Sequence, residues 1–215
     1  MTTCTRRGML SATLATGATL ITTPRLLANT GTNMVVWGET GGTTTLEGSA
    51  LGVNPALDPG QTPVEIRIPD AGVDAEIERQ EIVDGQMLDP SGPWVVAWYE
   101  ATVPAGSLGN CVMSGHVDYW DVGPSVFHDV ASVPEGARIE VAGKHGAVYT
   151  YAVTSIQRWD ITTVTVDELN SPDMVGPTDY AALTLITCGG DFNGQEYTER
   201  DLIRAELIAS RPAAS

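Results

Sequence analysis

The chain carries a cysteine, a histidine and an arginine that could together catalyse acyl transfer. Cys188 ends the strand-like run Leu183–Cys188 and is followed by two glycines, which predicts a thiol at the mouth of a cavity. His116 closes the run that starts at Cys111, and Arg200 opens a third apolar run. A thiolate is a strong nucleophile, an imidazole exchanges protons near neutral pH, and a guanidinium stabilises an oxyanion. The three residues predict a cysteine nucleophile with an acid/base partner and an oxyanion partner.

Short alternating or apolar segments, separated by turn residues, must position these side chains. They predict about eight strands, at Val64–Ile68, Val73–Ile77, Trp94–Trp98, Asn110–Ser114, Arg138–Val141, Val148–Val153, Ala182–Thr187 and Asp201–Leu207. Their spacing favours a closed barrel or a sandwich over β-α-β units. Helices are expected to be few and short, with Val126–Val130 and Val166–Leu169 as the best candidates. The sequence thus predicts an all-β fold with one or two short helices.

The composition restricts the partners. The formal net charge is -16, and Lys144 is the only lysine. Binding to nucleic acid needs a basic surface that neutralises phosphates, so this charge excludes that class of partner. The acidity itself fits either general solubility or adaptation to high salt.

Metal and cofactor binding are not expected. The chain has no close ligand pair such as CxxC or HxxxH, which disfavours a zinc site that combines His116 and Cys188 with another histidine. The other two histidines, His128 and His145, are interpreted as loop residues.

The three cysteines are too few for a disulfide framework. Cys4 lies in the N-terminal leader. Cys111 stands roughly 16 Å along an extended strand from His116, so a Cys111–Cys188 bridge is disfavoured if His116 and Cys188 meet at one rim. Cys111 is therefore expected to be a small buried apolar residue.

The sequence divides into four regions. Residues 1–28 place Arg6-Arg7 before a mildly apolar stretch, which is typical of a twin-arginine export signal, with a retained N-terminal membrane anchor as the alternative. Residues 29–61 are rich in Gly, Thr and Pro and predict a flexible linker. Residues 62–209 form the predicted catalytic domain, and residues 210–215 form a tail. The protein is expected to be exported and to act outside the cytoplasm, at the cell surface or on the membrane.

The motifs together resemble the sortase family, the cysteine transpeptidases of bacterial cell surfaces. Leu183–Cys188 fits the family's TLxTC signature, Ser114-Gly115-His116 fits its histidine motif, and Arg200 has the family's cysteine-to-arginine spacing. The resemblance extends from about Pro63 to Leu207 and is greatest to class E and class F sortases. It implies an eight-stranded β-barrel.

The resemblance also implies the reaction and its partners. Cys188 would cut a sorting-signal peptide of LPxTG type and keep the acyl half as a thioester, which then passes to an amine acceptor. His116 would exchange protons with the leaving and incoming amines, and Arg200 would stabilise the oxyanion, with Arg204 as the fallback. Thr187 is a candidate for contact with the substrate. A monomer is expected.

Trp120 is a second candidate for contact with the peptide.

Two features of the sequence depart from the family pattern. Asp118 follows the histidine closely enough to orient or repel an imidazolium, and Gly189-Gly190 predicts a bare, mobile rim beside the cysteine. The alternatives are a surface β-barrel that binds peptides without cutting them and another cysteine acyltransferase, such as a peptidoglycan L,D-transpeptidase.

Overall fold

The computed structural model describes residues 60–193 and 197–213 of the chain. The predicted export signal lies outside these described residues, as do the predicted linker up to residue 59 and the last two residues of the predicted tail. Within the described ranges, no helix is long and apolar enough to cross a membrane.

Strands make up most of the described chain. Their bounds are β1 Pro63–Ile68, β2 Val73–Gln80, β3 Ile82–Val83, β4 Gln86–Met87, β5 Val96–Tyr99, β6 Gly109–Ser114, β7 Asp118–Tyr119, β8 Gly123–Pro124, β9 Arg138–Gly143, β10 Val148–Asp160, β11 Ala181–Phe192 and β12 Tyr197–Arg211. Eight of them close into a barrel in the order β1-β2-β5-β6-β11-β12-β10-β9, while β3-β4 and β7-β8 form two small hairpins. Each of the eight predicted segments coincides with or overlaps a barrel strand, so the all-β, eight-stranded barrel is confirmed.

The barrel interior holds the main apolar core. Ile66, Met113, Leu183, Leu185 and Ile203 are fully buried in one cluster there. Burying each such side chain contributes roughly 1.5–3 kcal/mol. This cluster fixes the register in which the strands pair, and the register in turn sets where each side chain lies.

A second apolar cluster covers the outer wall of the barrel over β5, β6, β11 and β12. Val112, Ile186 and Leu202 contribute to it from the strands, and Met87 and Met174 pack over them from connecting segments. Because both faces are covered, all residues of β6 are buried. This explains why the run before the histidine motif is apolar without a clear alternation.

The helix predictions have mixed outcomes. The short helix over Val166–Leu169 is confirmed as α1. The helix predicted over Val126–Val130 is wrong, because residues 126–129 form turns and a single 3₁₀ turn occupies Val130–Ser132.

Two backbone N–H groups of the segment 126–130 form hydrogen bonds with residues distant in sequence. The N–H group of Val126 donates to the carbonyl of Pro93, and that of Phe127 donates to the carbonyl of His116, each at 2.9 Å. The Phe127 ring is fully buried in the interior cluster. Tertiary hydrogen bonds and burial therefore replace the helical ladder that the local sequence favours.

Cys111 behaves as predicted. It is buried in the interior cluster and its thiol forms no disulfide, so the disfavoured Cys111–Cys188 bridge is absent. Burial raises the pKa of the Cys111 thiol, which keeps it protonated and unreactive.

We expect Gly106→Ala to destabilise the barrel strongly. Gly106 has φ +86°, and an added Cβ would overlap the ring of Tyr149. Backbone strain and overpacking together should cost about 2 kcal/mol or more, measured as a lower urea midpoint with an unchanged m value. Gly136→Ala is the matched control, because Gly136 has φ +81° but no atom within 4 Å of the added Cβ. Equal losses in the two variants would contradict the packing argument.

Candidate active site

Three adjacent barrel strands bring together the cysteine, histidine and arginine. β6 runs parallel to β11 with Ser114 opposite Ile186, and two residues further along come His116 and Cys188. β12 runs antiparallel to β11 with Arg200 opposite Cys188. Neighbouring strands lie about 4.8 Å apart, so the three residues share one level across three neighbouring strands.

All three side chains belong to the outer wall of the barrel. Ile186 and Leu202 are members of the outer cluster, so Cys188 and Arg200, each two residues away, face the same side. The same alternation along β6 places His116 there. The side chain of Cys188 therefore faces the outer wall and not the barrel interior, and the cavity at the cysteine stays a prediction.

The backbone around His116 is fixed from both sides. The N–H group of Gly115 donates to the carbonyl of Ile186 at 3.1 Å, and the N–H group of Phe127 donates to the carbonyl of His116 at 2.9 Å. The Thr187 hydroxyl donates to the carbonyl of Gly115 at 2.9 Å. The structure thus gives Thr187, predicted as a substrate contact, a hydrogen bond that positions the histidine.

The imidazole of His116 has one committed nitrogen. Nε2 lies 3.3 Å from the carbonyl oxygen of Pro90, and the ring of Tyr119 packs edge-on at 5.1 Å. Because a carbonyl only accepts, Nε2 carries the proton and a neutral ring has its acceptor at Nδ1. Nδ1 is buried and has no hydrogen-bond partner among the described residues, so this atom can take up a proton within the site.

The guanidinium of Arg200 is anchored to the backbone at the start of β12. Nη1 donates to the carbonyls of Tyr197 at 2.7 Å and Glu199 at 2.8 Å. The residue is only 4% exposed. Since a guanidinium stays protonated, the strand pairing sets a permanent positive charge opposite Cys188.

The two glycines after the cysteine do not form the expected mobile rim. β11 continues through them to Phe192. A Cβ at Gly189 would lie 2.7 Å from the Asp201 carboxylate, and Gly190 has φ +71° with the Glu199 carboxylate in the space of its Cβ. Glycine is a steric requirement here because it admits two carboxylates beside the strand.

The remaining sequence-predicted residues lie outside this group of three. Trp120 occupies the turn between β7 and β8 and is 56% exposed, so its contact with a peptide stays a prediction. His128 and His145 are exposed in loops. In the part of the chain that the structure describes, no three His, Cys, Asp or Glu side chains are grouped to hold a metal ion.

An apolar pocket lies on the outer wall beside Arg200. It is lined by Met87, Trp159, Ile161, Leu169, Met174, Val175, Ile186, Arg200 and Leu202. Ile186 on β11 pairs with Leu202 on β12. This pair lies two residues from the pair of Cys188 and Arg200, which is about 7 Å along the strands. The pocket has a mostly apolar lining that nearly fills it, and it lies within a few residues of Cys188.

A buried polar cluster that the sequence did not reveal holds one wall of this pocket. Nη2 of Arg204 donates to the carbonyls of Pro172 and Met174 at 2.7 and 2.6 Å. Nδ2 of Asn110 donates to the carbonyl of Gly176 at 3.1 Å. Burial lowers the pKa of the Arg204 guanidinium. The fallback arginine thus lies roughly 13 Å from the level of the cysteine and serves the pocket wall.

The comparisons with known proteins bear on the family and the fold. A family model described as the Sortase domain matches residues 66–208. Sortase A from Listeria monocytogenes superposes with a TM-score of 0.53 at 19% identity, covering 73% of this chain and 92% of its own. Sortase E1 from Streptomyces coelicolor, solved with a tripeptide in the active site, gives a TM-score of 0.53 at 21% identity, covering 73% and 94%. The comparison with curated protein sequences finds no match.

The chain belongs to the sortase family, because the family model spans well over half of its residues. The solved structures, at these identities, establish the shared fold. Family and fold together support a sortase-like transpeptidase. The assignment to class E or class F stays a prediction.

We expect Arg204→Met to loosen the pocket wall. The substitution leaves the carbonyl of Pro172 without its donor and the carbonyl of Met174 with only a 3.4 Å bond from Nδ2 of Asn110, which should cost roughly 1–3 kcal/mol and speed hydrogen exchange of the amides at 170–176. Arg79→Met is the control, because Arg79 has a 59% exposed side chain and pairs only with Glu100 at the surface. That variant should lose less than about 1 kcal/mol. Unchanged exchange in Arg204→Met would contradict the role of the cluster.

Proposed function

We propose that the protein is an exported cysteine transpeptidase that cleaves LPxTG-type sorting signals between Thr and Gly. The acyl half is held as a thioester and passed to an amine. The observation that carries this proposal is the alignment of His116, Cys188 and Arg200 at one level of the outer wall. These are the nucleophile, the acid/base group and the cation that acyl transfer through a thioester needs.

In the first half of the reaction, the thiolate of Cys188 attacks the threonyl carbonyl carbon. The developing oxyanion is stabilised by the guanidinium of Arg200, which its backbone contacts hold in place. The imidazolium of His116 then donates its proton to the departing glycyl amine as the C–N bond breaks. The products are a thioester on Cys188 and a neutral imidazole.

In the second half, an amine attacks the thioester carbonyl. The neutral His116 accepts a proton from the nucleophile, the C–S bond breaks, and Cys188 leaves as a thiolate. Water in place of the amine gives hydrolysis. The Nδ1 atom, buried and without a described partner, is the atom we assign to both proton transfers.

The apolar pocket supports recognition of the Leu-Pro part of the signal. An extended peptide advances about 3.3 Å per residue, so the leucine of LPxT stands roughly 10 Å before the scissile carbonyl. The pocket begins about 7 Å from the thiol along the strands and extends to Leu169 and Met174. We assign it to the leucine side chain, which enters after the lining side chains move apart, because the free volume of about 10 Å³ is smaller than a leucine side chain.

We further propose that the enzyme works outside the cytoplasm, as a monomer released from or anchored by its N-terminal segment. Its partners are then a surface protein with a sorting signal and an amine acceptor. The motifs favour class E or class F.

The decisive test is incubation with a fluorogenic LPxTG peptide under reducing conditions, with and without an amine acceptor. Wild-type protein should cleave the peptide, and mass spectrometry should find the thioester on Cys188. Cys188→Ala should abolish cleavage, and Arg200→Ala should lower kcat/KM by about 10²-fold or more. No cleavage by the wild type, or cleavage by Cys188→Ala, would overturn the proposal, and labelled binding without cleavage would favour a peptide-binding barrel.

We expect Thr187→Val to lower kcat while leaving KM for the peptide nearly unchanged. Valine keeps the shape of threonine but removes the hydroxyl that donates to the carbonyl of Gly115. His116 is then held less firmly, at a cost of about tenfold in kcat. Thr187→Ser retains the hydroxyl and should restore kcat. A rise in KM alone would indicate the direct substrate contact that the sequence suggested.

A further inference from the structure

A carboxylate lies beyond the catalytic level, on the side away from the apolar pocket. Asp118 is in β7, two residues after His116, and its Oδ2 accepts a hydrogen bond of 2.7 Å from the hydroxyl of Tyr197. Tyr197 begins β12, three residues before Arg200. This contact joins the β7-β8 hairpin to the end of the β11-β12 pair.

The outer wall therefore differs in chemistry on the two sides of Cys188. The apolar pocket lies on one side of Cys188, where Ile186 and Leu202 line it two residues away from Cys188 and Arg200. The Asp118–Tyr197 contact lies on the far side, where β11 and β12 end. A peptide with its apolar residues in the pocket directs its leaving group toward Asp118.

One oxygen of this carboxylate lacks a partner. Oδ1 of Asp118 is buried and accepts no hydrogen bond from any described residue. A buried acceptor without a donor is costly, which indicates a place for a donor that the folded domain does not supply.

Two neighbouring carboxylates share one guanidinium. Asp201 makes a bidentate pair with Arg158 at 2.7 and 2.8 Å, and Glu199 lies 3.8 Å from the same guanidinium. Asp118, by contrast, has no cation within 4 Å among the described residues. Asp118 is therefore a carboxylate beside the site that can bind an incoming positive charge.

We propose that Asp118 binds the ammonium group of the acceptor and delivers it to the thioester, with Tyr197 holding the carboxylate in place. The inference rests on the proposed function and names the second substrate as a primary amine that is cationic before it reacts. Oδ1 accepts a charge-assisted hydrogen bond from the ammonium while Oδ2 keeps its bond from Tyr197.

The protons balance as follows. The bound ammonium loses one proton to solvent and becomes a neutral amine. The amine nitrogen attacks the thioester carbonyl, the C–S bond breaks, and the electron pair leaves with the sulfur of Cys188. The nitrogen's second proton passes to His116, which regenerates the thiolate and imidazolium with a new amide as the product.

The test compares acceptor use with peptide cleavage in Asp118→Asn. Asparagine can still accept the hydrogen bond from Tyr197 but carries no charge. With triglycine amide as the acceptor at pH 7, where its amine is mostly protonated, we expect kcat/KM for the acceptor to fall about tenfold or more. Cleavage without an acceptor should change by less than about twofold, which separates this outcome from a failure of the proposed function.

A neutral nucleophile provides the sharpest control. Hydroxylamine is uncharged at pH 7, so its capture of the thioester should be the same in Asp118→Asn and in the wild type. An equal loss with hydroxylamine and triglycine amide would overturn the proposal, because it would indicate a general distortion of the site.

Two variants control for charge and for structure. Asp121→Asn removes an exposed carboxylate from the turn of the same hairpin and should leave acceptor use unchanged. Tyr197→Phe removes the hydrogen bond but keeps the carboxylate, so it should retain most of the preference for the cationic acceptor. If Tyr197→Phe lost acceptor use as fully as Asp118→Asn, the contact would be structural and the proposal would fail.

Discussion

The register of three neighbouring strands is the constraint on which the site depends. Side chains alternate between the interior and the outer wall, so His116, Cys188 and Arg200 share a face only because β6, β11 and β12 are paired as they are. A slip of one residue in β11 would turn the cysteine inward and bring Thr187 to the outer wall. The interior core opposes that slip, since it would take Leu183 and Leu185 out of the interior cluster and turn Thr184 into it. The interior core thus fixes the chemistry on the outside.

The same constraint explains the covering segments of the barrel. Strands that place catalytic groups outward also place Val112, Ile186 and Leu202 outward, and these apolar side chains need cover. The segments that carry Met87 and Met174 provide it and thereby form the pocket beside Arg200. One set of contacts therefore stabilises the outer wall and shapes the pocket. This accounts for the burial of a charged residue such as Arg204, whose desolvation is offset by hydrogen bonds to two backbone carbonyls.

The sequence was sufficient to predict the strands and to pick out three candidate residues that the structure places on neighbouring strands, because both leave local signals. Alternation marks Val64–Ile68, and apolar runs ending in a cysteine or a histidine mark the ends of buried strands. The sequence did not reveal which side chains of β11 face the barrel interior. Within Leu183–Ile186 only Thr184 is polar, and both faces of the strand are buried, so no alternation marks the inner face. The helix predicted at Val126–Val130 failed where the N–H groups of Val126 and Phe127 bond to partners distant in sequence and the Phe127 ring is buried, while later N–H groups form only short turns. The Asp118–Tyr197 and Arg204 contacts likewise join positions that only the closed barrel brings together.

A transpeptidase must admit two substrates to one thiol, and the outer wall offers a different chemistry on each side of it. The apolar pocket binds through burial, which is strong, non-directional and insensitive to salt. The far side presents a carboxylate, whose attraction for an ammonium depends on charge. The formal net charge of -16 extends that attraction beyond the site, because an acidic surface raises the local concentration of cationic amines. Water carries no charge and gains nothing from this field, so under the proposed function the acidity of the chain would favour transfer to an amine over hydrolysis.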